Sequence, residues 1–120
     1  MVNRMQIPEL IPFLKDVLED SKAKDVSFLD VRGMTTITDY MVICSGTSTR
    51  HVKSIAKNVA EKCKEQHLRP GAIEGEAEGE WVLVDLGDAI VHIMLPSIRE
   101  FYALEQLWSV PEDLATNNEK

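Results

Sequence analysis

The sequence predicts a single α/β domain (of the α+β type with a mixed sheet), in which helices pack against a five-stranded mixed β-sheet. Two observations support this prediction. Segments with apolar residues at helical spacing alternate with short runs of β-branched and aromatic residues. The resulting order, α-β-β-α-β-β-β-α, contains no internal repeat, and 120 residues fit one domain that can bury a core of its own.

The first half of the chain predicts a helix followed by two strands. The helix extends from Ile7 to about Lys22, because apolar residues recur on one side of it and Pro8 fits its first turn. Val26 to Val31 alternates loosely and predicts a strand, after which residues 32–38 form a polar loop. Tyr40 to Cys44 is a continuous apolar run, which is typical of a strand covered on both faces.

A second helix follows the turn-rich segment Ser45 to Arg50. Its apolar stripe consists of Val52, Ile55, Ala56, Val59, Ala60 and Cys63. Pro70 prevents the helix from continuing. Ala72 to Glu74 predicts a short edge strand, and residues 74–80, which carry Glu at every second position, predict an acidic turn.

A hairpin and a last helix complete the pattern. Trp81 to Leu86 and Ala89 to Leu95 are predicted strands, joined by the two-residue turn Gly87-Asp88. Pro96 ends the second strand, Ser97 is the predicted N-cap of the helix, and Pro111 ends that helix. The apolar members of the helix are Ile98, Phe101, Leu104, Leu107 and Trp108, of which we assign Trp108 to the core. The domain is therefore expected to span residues 1–110, followed by a polar tail at 111–120.

The two-residue turn fixes the register of the hairpin, and the register assigns each side chain to a face. One face consists of the pairs Leu86–Ala89, Val84–Val91 and Val82–Ile93. It is wholly apolar, so we predict that it packs on the helices. The other face consists of the pairs Asp85–Ile90, Leu83–His92 and Trp81–Met94, which mix bulky apolar groups with an acid and an imidazole.

This second hairpin face is the candidate partner-binding surface. An unpaired buried carboxylate is costly, which argues against a closed core, and a solvent face would not ordinarily carry this many large apolar groups. An interface tolerates both, with aromatic and Met anchors at its centre and polar groups such as Asp85 and Asp88 at its edge. The alternative is that a helix covers the face, while Asp85 and His92 bond to each other or to the backbone.

The last helix supplies two further candidates. Arg99 and Tyr102 lie one helical turn apart, so they can border the same docking surface, or they are an ordinary solvated pair. A homodimer formed through Trp81 and Met94 is another use of the same apolar pattern.

Composition excludes several other classes of protein. Thirteen Lys and Arg against twenty Asp and Glu give a net charge of -7, which disfavours binding to DNA or RNA backbones over most of the surface. The cysteines, Cys44 and Cys63, are predicted to be buried free thiols, and without a Cys/His cluster neither a metal site nor a cofactor is expected. No signal peptide or membrane span is apparent, so a cytoplasmic location is expected.

An enzyme related to nucleotidyltransferases is the rival hypothesis. The segment Gly46-Thr47-Ser48 precedes a helix, and its backbone N–H groups could cradle a phosphate. Such enzymes also hold magnesium with two nearby acids, but no acid follows Gly46 until Glu61, which lies in a helix. We therefore expect no catalytic residues, and we expect Thr47, Ser48 and Thr49 to serve in capping the helix.

Arg50 and His51 lie in the first turn of that helix, where cations are mildly unfavourable against the helix dipole. A partner contact, or an internal acid such as Asp39, would explain their presence. His51 or His92 could also act as a catalytic base, but no Ser or Cys with a third group placed beside it supports that role.

Several motifs together resemble the ribosomal silencing factor family, also called the Iojap family. The longest is the run of residues 37–53, ITDYMVICSGTSTRHVK. Others are Glu74-Gly75, the run 81–88, WVLVDLGD, and the run Ile90-Val91-His92. The closing pattern consists of Arg99, Phe101, Tyr102, Leu104, Glu105, Leu107 and Trp108. The motifs occur in the right order and spacing across roughly residues 5–109, so the resemblance is specific.

The resemblance implies a bacterial or organellar factor that binds the large ribosomal subunit. Members of the family contact the fourteenth large-subunit protein on the face that meets the small subunit. They block subunit joining sterically and so repress translation when nutrients are scarce. The implied fold is a mixed five-stranded sheet similar to that of nucleotidyltransferases, and some members form homodimers.

Overall fold

The computed structural model describes residues 7–107. Within this range the chain forms four helices and five strands. Their bounds are α1 Ile7–Asp20, β1 Lys24–Asp30, β2 Tyr40–Ser45, α2 Thr49–Glu65, β3 Ala72–Glu74, β4 Trp81–Asp85, β5 Ala89–Met94, α3 Pro96–Tyr102 and α4 Leu104–Leu107. Of the sequence-based predictions, Pro111, the tail at 111–120 and the core position of Trp108 lie outside the described residues.

The five strands form one mixed sheet in the order β1-β2-β5-β4-β3. Strands β2 and β5 are parallel, and the other neighbouring pairs are antiparallel. The parallel pair lies at the centre, which explains why β2 and β5 are apolar on both faces. The predicted fold class, a single α/β domain with a five-stranded mixed sheet, is confirmed.

The hairpin register is confirmed pair by pair, from Trp81 opposite Met94 to Asp85 opposite Ile90. Gly87 adopts a φ of 86°, a left-handed value that a side chain would disfavour, at the first position of the turn as predicted. One set of side chains from β4 and β5 therefore points to each face of the sheet.

Helices α1 and α2 cover the first face. Their apolar stripes bury a continuous cluster with the inward residues of β2, β4 and β5, and the largest fully buried members are Leu10, Leu14, Leu18, Val42, Val52, Ile55, Val59, Val82 and Ile93. Both cysteines lie in this cluster as free thiols, as predicted. Burial raises the pKa of Cys44 to about 12 and that of Cys63 to about 11, so neither is a reactive thiolate at neutral pH.

The second face carries a smaller cluster. Its buried members are Val31, Met41, Ile43, Ile90 and Met94. The short helices α3 and α4 cover part of it with Ile98 and Leu104, and Met34 from the loop after β1 packs on it as well. The rest of this face, towards Trp81 and Leu83, is only half-buried.

The predicted last helix is corrected in two respects. It begins at Pro96, so Leu95 occupies the N-cap, and its aliphatic side chain has no atom that could accept a capping hydrogen bond. Ser97 is therefore not the N-cap. The helix then breaks at Ala103, whose φ of 48° is left-handed, and α4 follows in a new direction.

Strand β1 also differs from its prediction. It begins at Lys24 rather than Val26, and its pairing with β2 is irregular between Lys24 and Ser27. Asp25 has a φ of 50°, so the polar residues Lys24 and Asp25 form a local bulge at the start of the strand.

Candidate docking surface

Trp81 stands at the start of β4, at the margin of the partly covered second face. Its side chain is half-buried, and it lies opposite Met94 in the hairpin. The indole Nε1–H donates a hydrogen bond of 2.9 Å to Nδ1 of His92, which lies two residues before Met94 on β5. The polar edge of the indole is thus satisfied inside the protein, and part of its apolar surface remains accessible.

Two aromatic residues at the end of α3 extend this surface. The ring of Tyr102 lies 5.1 Å from that of Trp81, and the ring of Phe101 meets that of Tyr102 edge-on at 4.9 Å. Tyr102 is 54% exposed and Phe101 is 79% exposed. We call Trp81, Phe101 and Tyr102 the aromatic cluster. Contiguous exposed aromatic groups of this kind are characteristic of interaction surfaces.

The sequence analysis counted Phe101 among the apolar members of one long helix, and the structure shows that its side chain is exposed. Helix α3 ends at Ala103; Ile98 and Leu104 pack on the second-face cluster, whereas Phe101 is exposed. Its neighbour Tyr102 was a candidate already, and the two aromatic residues are adjacent in the chain. That adjacency was the available signal.

The acidic turn, residues 74–80, leads directly into Trp81 of the aromatic cluster. Glu76, Glu78 and Glu80 are all exposed, and Glu80 directly precedes Trp81 in the chain. Gly75 has a φ of 88°, and a side chain at that position would collide with the carbonyl oxygen of Trp81. The turn is therefore folded tightly against the strand that carries the indole.

Three of the predicted contact residues are buried instead. Met94 is fully buried, and Ile90 and His92 are 7% and 6% exposed. Their expected exposure is thus wrong, because α3, α4 and the loop after β1 cover the half of the face nearest β2. Burial lowers the pKa of His92 to about 4, so its imidazole is neutral at pH 7.

The acids of the hairpin are placed at the edge of this face. Asp85 is half-buried, and its Oδ1 accepts a hydrogen bond of 2.8 Å from the N–H of Gly87. Asp85 and His92 therefore do not satisfy each other: the acid uses the backbone and the imidazole uses the indole. Asp88 is half-exposed in the turn, and its carbonyl accepts the N–H groups of Asp39 and Tyr40.

Arg99 and Tyr102 do not border the same surface. The Arg99 guanidinium donates to Oγ of Ser45 at 3.0 Å and to Oγ of Ser27 at 3.3 Å, on the side of the sheet formed by β1 and β2. Tyr102 packs on Trp81 at the side formed by β4. Arg99 thus ties α3 to the sheet, and Tyr102 belongs to the aromatic cluster.

The loop before α2 uses its own polar groups for capping. Ser48 is the N-cap, and its Oγ accepts the N–H of His51, as predicted. The N–H of Thr47 donates to Nδ1 of His51 at 2.9 Å, and Nε2 of His51 bonds to the carbonyl of Ser21 at 2.9 Å. His51 therefore joins α2 to the end of α1 and does not pair with Asp39.

These contacts bear on the rival nucleotide-binding hypothesis. The N–H of Gly46 donates to the carbonyl of Met94, and that of Thr47 is taken by His51, so neither N–H is available to a phosphate. A Cβ at Gly46 would lie 2.8 Å from Cγ2 of Val52, so this glycine is explained by the close approach of α2. Arg50 is exposed in the first turn of α2. Within residues 7–107, no three acids, histidines or cysteines are grouped to hold a metal ion.

Fold and surface together define a single α+β domain with an aromatic and acidic candidate docking surface. No helix within residues 7–107 has the length and apolar character needed to cross a membrane. Comparison with known families is consistent with this description and makes it specific. The family model described as ribosomal silencing factor during starvation matches residues 4–120, and the chain belongs to the ribosomal silencing factor family.

Individual relatives agree. Ribosomal silencing factor RsfS of Haemophilus influenzae is 45% identical over 100 residues, which cover 83% of this chain and 98% of that protein. A crystal structure of a Chromobacterium violaceum protein has a TM-score of 0.85 at 41% identity, covering 89% of this chain and 91% of that one. The mouse protein named mitochondrial assembly of ribosomal large subunit protein 1 is 37% identical over 103 residues, covering 83% of this chain and 45% of that protein.

Proposed function

We propose that this protein represses translation in the cytoplasm by binding the large ribosomal subunit and blocking its joining to the small subunit. The contact is with the fourteenth large-subunit protein, on the face that meets the small subunit, and repression serves conditions of nutrient scarcity. Family membership supports the link to ribosome silencing, and the name of the mouse relative refers to the large subunit. The identity of the contacted protein rests on the resemblance in the sequence motifs.

The aromatic cluster beside the acidic turn is the observation that carries the docking proposal. Interface energy is concentrated in a few aromatic anchors surrounded by polar groups that exclude water. Trp81 and Tyr102 are held against each other and are partly accessible, and Phe101 projects further out. Loss of one such anchor typically costs about 2 kcal/mol or more of binding free energy.

Charge supports a basic partner. The chain has a net charge of -7, and the acidic turn that leads into Trp81 exposes its glutamates to solvent. Asp85 and Asp88 add carboxylates at the other end of the same hairpin. Ribosomal proteins are usually basic, so complementary charge would steer the encounter and set its orientation.

The contact residues in this proposal combine part of the set predicted from sequence with Phe101, which the structure adds. Trp81, Leu83 and Tyr102 supply apolar contacts together with Phe101, and Asp85 and Asp88 with Glu80 pair with Arg or Lys of the partner. The buried residues Ile90, His92 and Met94 act beneath this surface rather than on it. Because the bulk of a bound domain would stand on the joining face, steric exclusion needs no catalytic group.

Replacement of Trp81 tests the proposal. We expect Trp81→Ala to remain folded but to be lost from large subunits in co-sedimentation, and to stop inhibiting subunit joining at concentrations where the native protein inhibits. Ile37→Ala is the matched control, since Ile37 is 73% exposed and lies in the loop after β1, outside the cluster. Native-level co-sedimentation of folded Trp81→Ala would show that the docking assignment is wrong.

Self-association through the same cluster is the competing use of this surface. Met94 cannot take part in it, because its side chain is fully buried. Light scattering of native protein and Trp81→Ala separates the two uses. A dimer that dissociates in the variant, without any loss of subunit binding, would assign the cluster to self-association instead.

A further inference from the structure

The buried imidazole of His92 is the polar group of the second face that docking itself does not use. It lies in the middle of β5, between Leu83 of β4 and Ile43 of β2 in the register of the sheet. Only 6% of the residue is exposed, so it does not touch a partner. A polar group in such surroundings is costly unless it is hydrogen-bonded, so the position requires a specific partner within the chain.

That partner is Trp81. Its Nε1–H donates to Nδ1 of His92 at 2.9 Å, with the ring centroids 5.9 Å apart and the planes tilted by 55°. Because Nδ1 accepts, the proton of the neutral ring is on Nε2, and the indole is held by its only polar atom. Burial keeps the imidazole neutral near pH 7, which keeps the acceptor available.

The contact chain continues from this bond to the surface. With its N–H edge bonded to His92 of β5, the indole also packs against the ring of Tyr102, which in turn meets Phe101. Helix α3 has seven residues and no side-chain N-cap, so its position depends on such tertiary contacts. The orientation of the exposed rings is thereby linked to a buried group of the central sheet.

We infer that His92 is a positioning residue for docking, which holds Trp81, and through it Tyr102 and Phe101, in the orientation that binds the large subunit. This inference rests on the proposed function of the aromatic cluster. The physical reason is that pre-organised anchors lose less conformational freedom on binding than anchors that sample several rotamers.

Two substitutions of His92 separate the hydrogen bond from bulk packing. His92→Leu keeps the volume but removes the acceptor, whereas the Oδ1 atom of His92→Asn lies close to the position of Nδ1 and can accept the same bond. We expect His92→Leu to raise the Kd for isolated large subunits about tenfold, the usual scale for loss of one hydrogen bond to a buried donor, and His92→Asn to stay within about threefold of native.

The indole N–H resonance in a proton–nitrogen correlation spectrum reports the bond directly. Trp81→Phe assigns the Trp81 signal, since Trp108 contributes the other one. We expect the signal to shift in His92→Leu and to remain near its native position in His92→Asn. A structural role alone would not produce this pairing of spectral shift, lost affinity and rescue by Asn.

Trp81→Phe provides a second route if His92→Leu does not fold. It keeps an aromatic ring but removes the donor and part of the anchor, so it should lose at least as much affinity as His92→Leu, and adding His92→Leu to it should cause no further loss. Native affinity in both folded single variants, while Trp81→Ala is released from the subunit, would overturn the positioning role alone. Native binding of Trp81→Ala would instead contradict the docking proposal on which it rests.

Discussion

On the first face of the sheet, α1 and α2 bury one continuous apolar cluster, whereas on the second face α3 and α4 cover only the part nearest β2. Helices of 14 and 17 residues cover the first face, and helices of seven and four residues cover the second. The same hairpin contributes alternate side chains to both. The comparison indicates that the first face supplies most of the stability, and that the second is closed just enough to hold its exposed rings in place.

The largest expected effect falls on the first face. Leu14 of α1 is fully buried in its cluster, so Leu14→Ala removes contacts and leaves a cavity. We expect it to lower the free energy of unfolding by about 3 kcal/mol, measured by urea denaturation. Leu83→Ala on the half-buried part of the second face is the matched variant and should cost about 1 kcal/mol. Equal losses would show that the two faces do not differ in closure.

The next effect is a pH dependence that belongs to the second face. Because burial lowers the pKa of His92 from 6.5 to about 4, the unfolded chain takes up a proton there at a higher pH than the folded chain does. The free energy of unfolding should therefore fall as the pH falls from about 6.5 to about 4. The full contribution of His92 to this loss is on the order of 3 kcal/mol. Above pH 6.5 both states are neutral, and the contribution is constant.

His92→Asn isolates this contribution, since it keeps an acceptor for Trp81 but does not titrate. Urea denaturation of the native protein and the variant between pH 7 and pH 4 should give stability curves that diverge towards acid, with the native curve steeper. His51 and His67 are present in both proteins and cancel in the difference. Parallel curves would mean that His92 is not kept neutral by burial.

The different closure of the two faces also explains what the sequence could and could not predict. The register of the hairpin followed from Gly87 and from the period of two along each strand, because a two-residue turn allows one register when one face is apolar. The apolar stripe of α2 and its Ser48 cap were equally local signals. Local patterns therefore determined the first face almost entirely.

The second face was harder to predict because its cover depends on tertiary contacts. The spacing of Ile98, Phe101 and Leu104 fits one continuous helix, and nothing in it indicates that Ala103 adopts a left-handed conformation. Leu104 follows this break and packs on the second face with Met94, whereas Phe101 before it is exposed. Likewise, the partner of His92 could not be chosen between Asp85 and Trp81 without coordinates, since both lie on the strand opposite.

The smallest expected effect on stability is the sharpest test of the comparison. Phe101 is 79% exposed and contacts Tyr102 edge-on, so Phe101→Ala should change the free energy of unfolding by less than about 0.5 kcal/mol. If the second face is held open for docking, the same change should weaken binding to large subunits by about tenfold, because an exposed aromatic anchor is lost.

Urea denaturation and co-sedimentation on the same samples measure the two quantities together, with Ile37→Ala, at a similar exposure, expected to alter neither. A stability loss above about 1 kcal/mol in Phe101→Ala would place this ring in the packing of the second face. Unchanged binding would confine the docking contact to Trp81 and Tyr102. A domain with one closed and one partly open face should lose stability when residues of the closed face are replaced. It should lose binding when exposed residues of the open face are replaced.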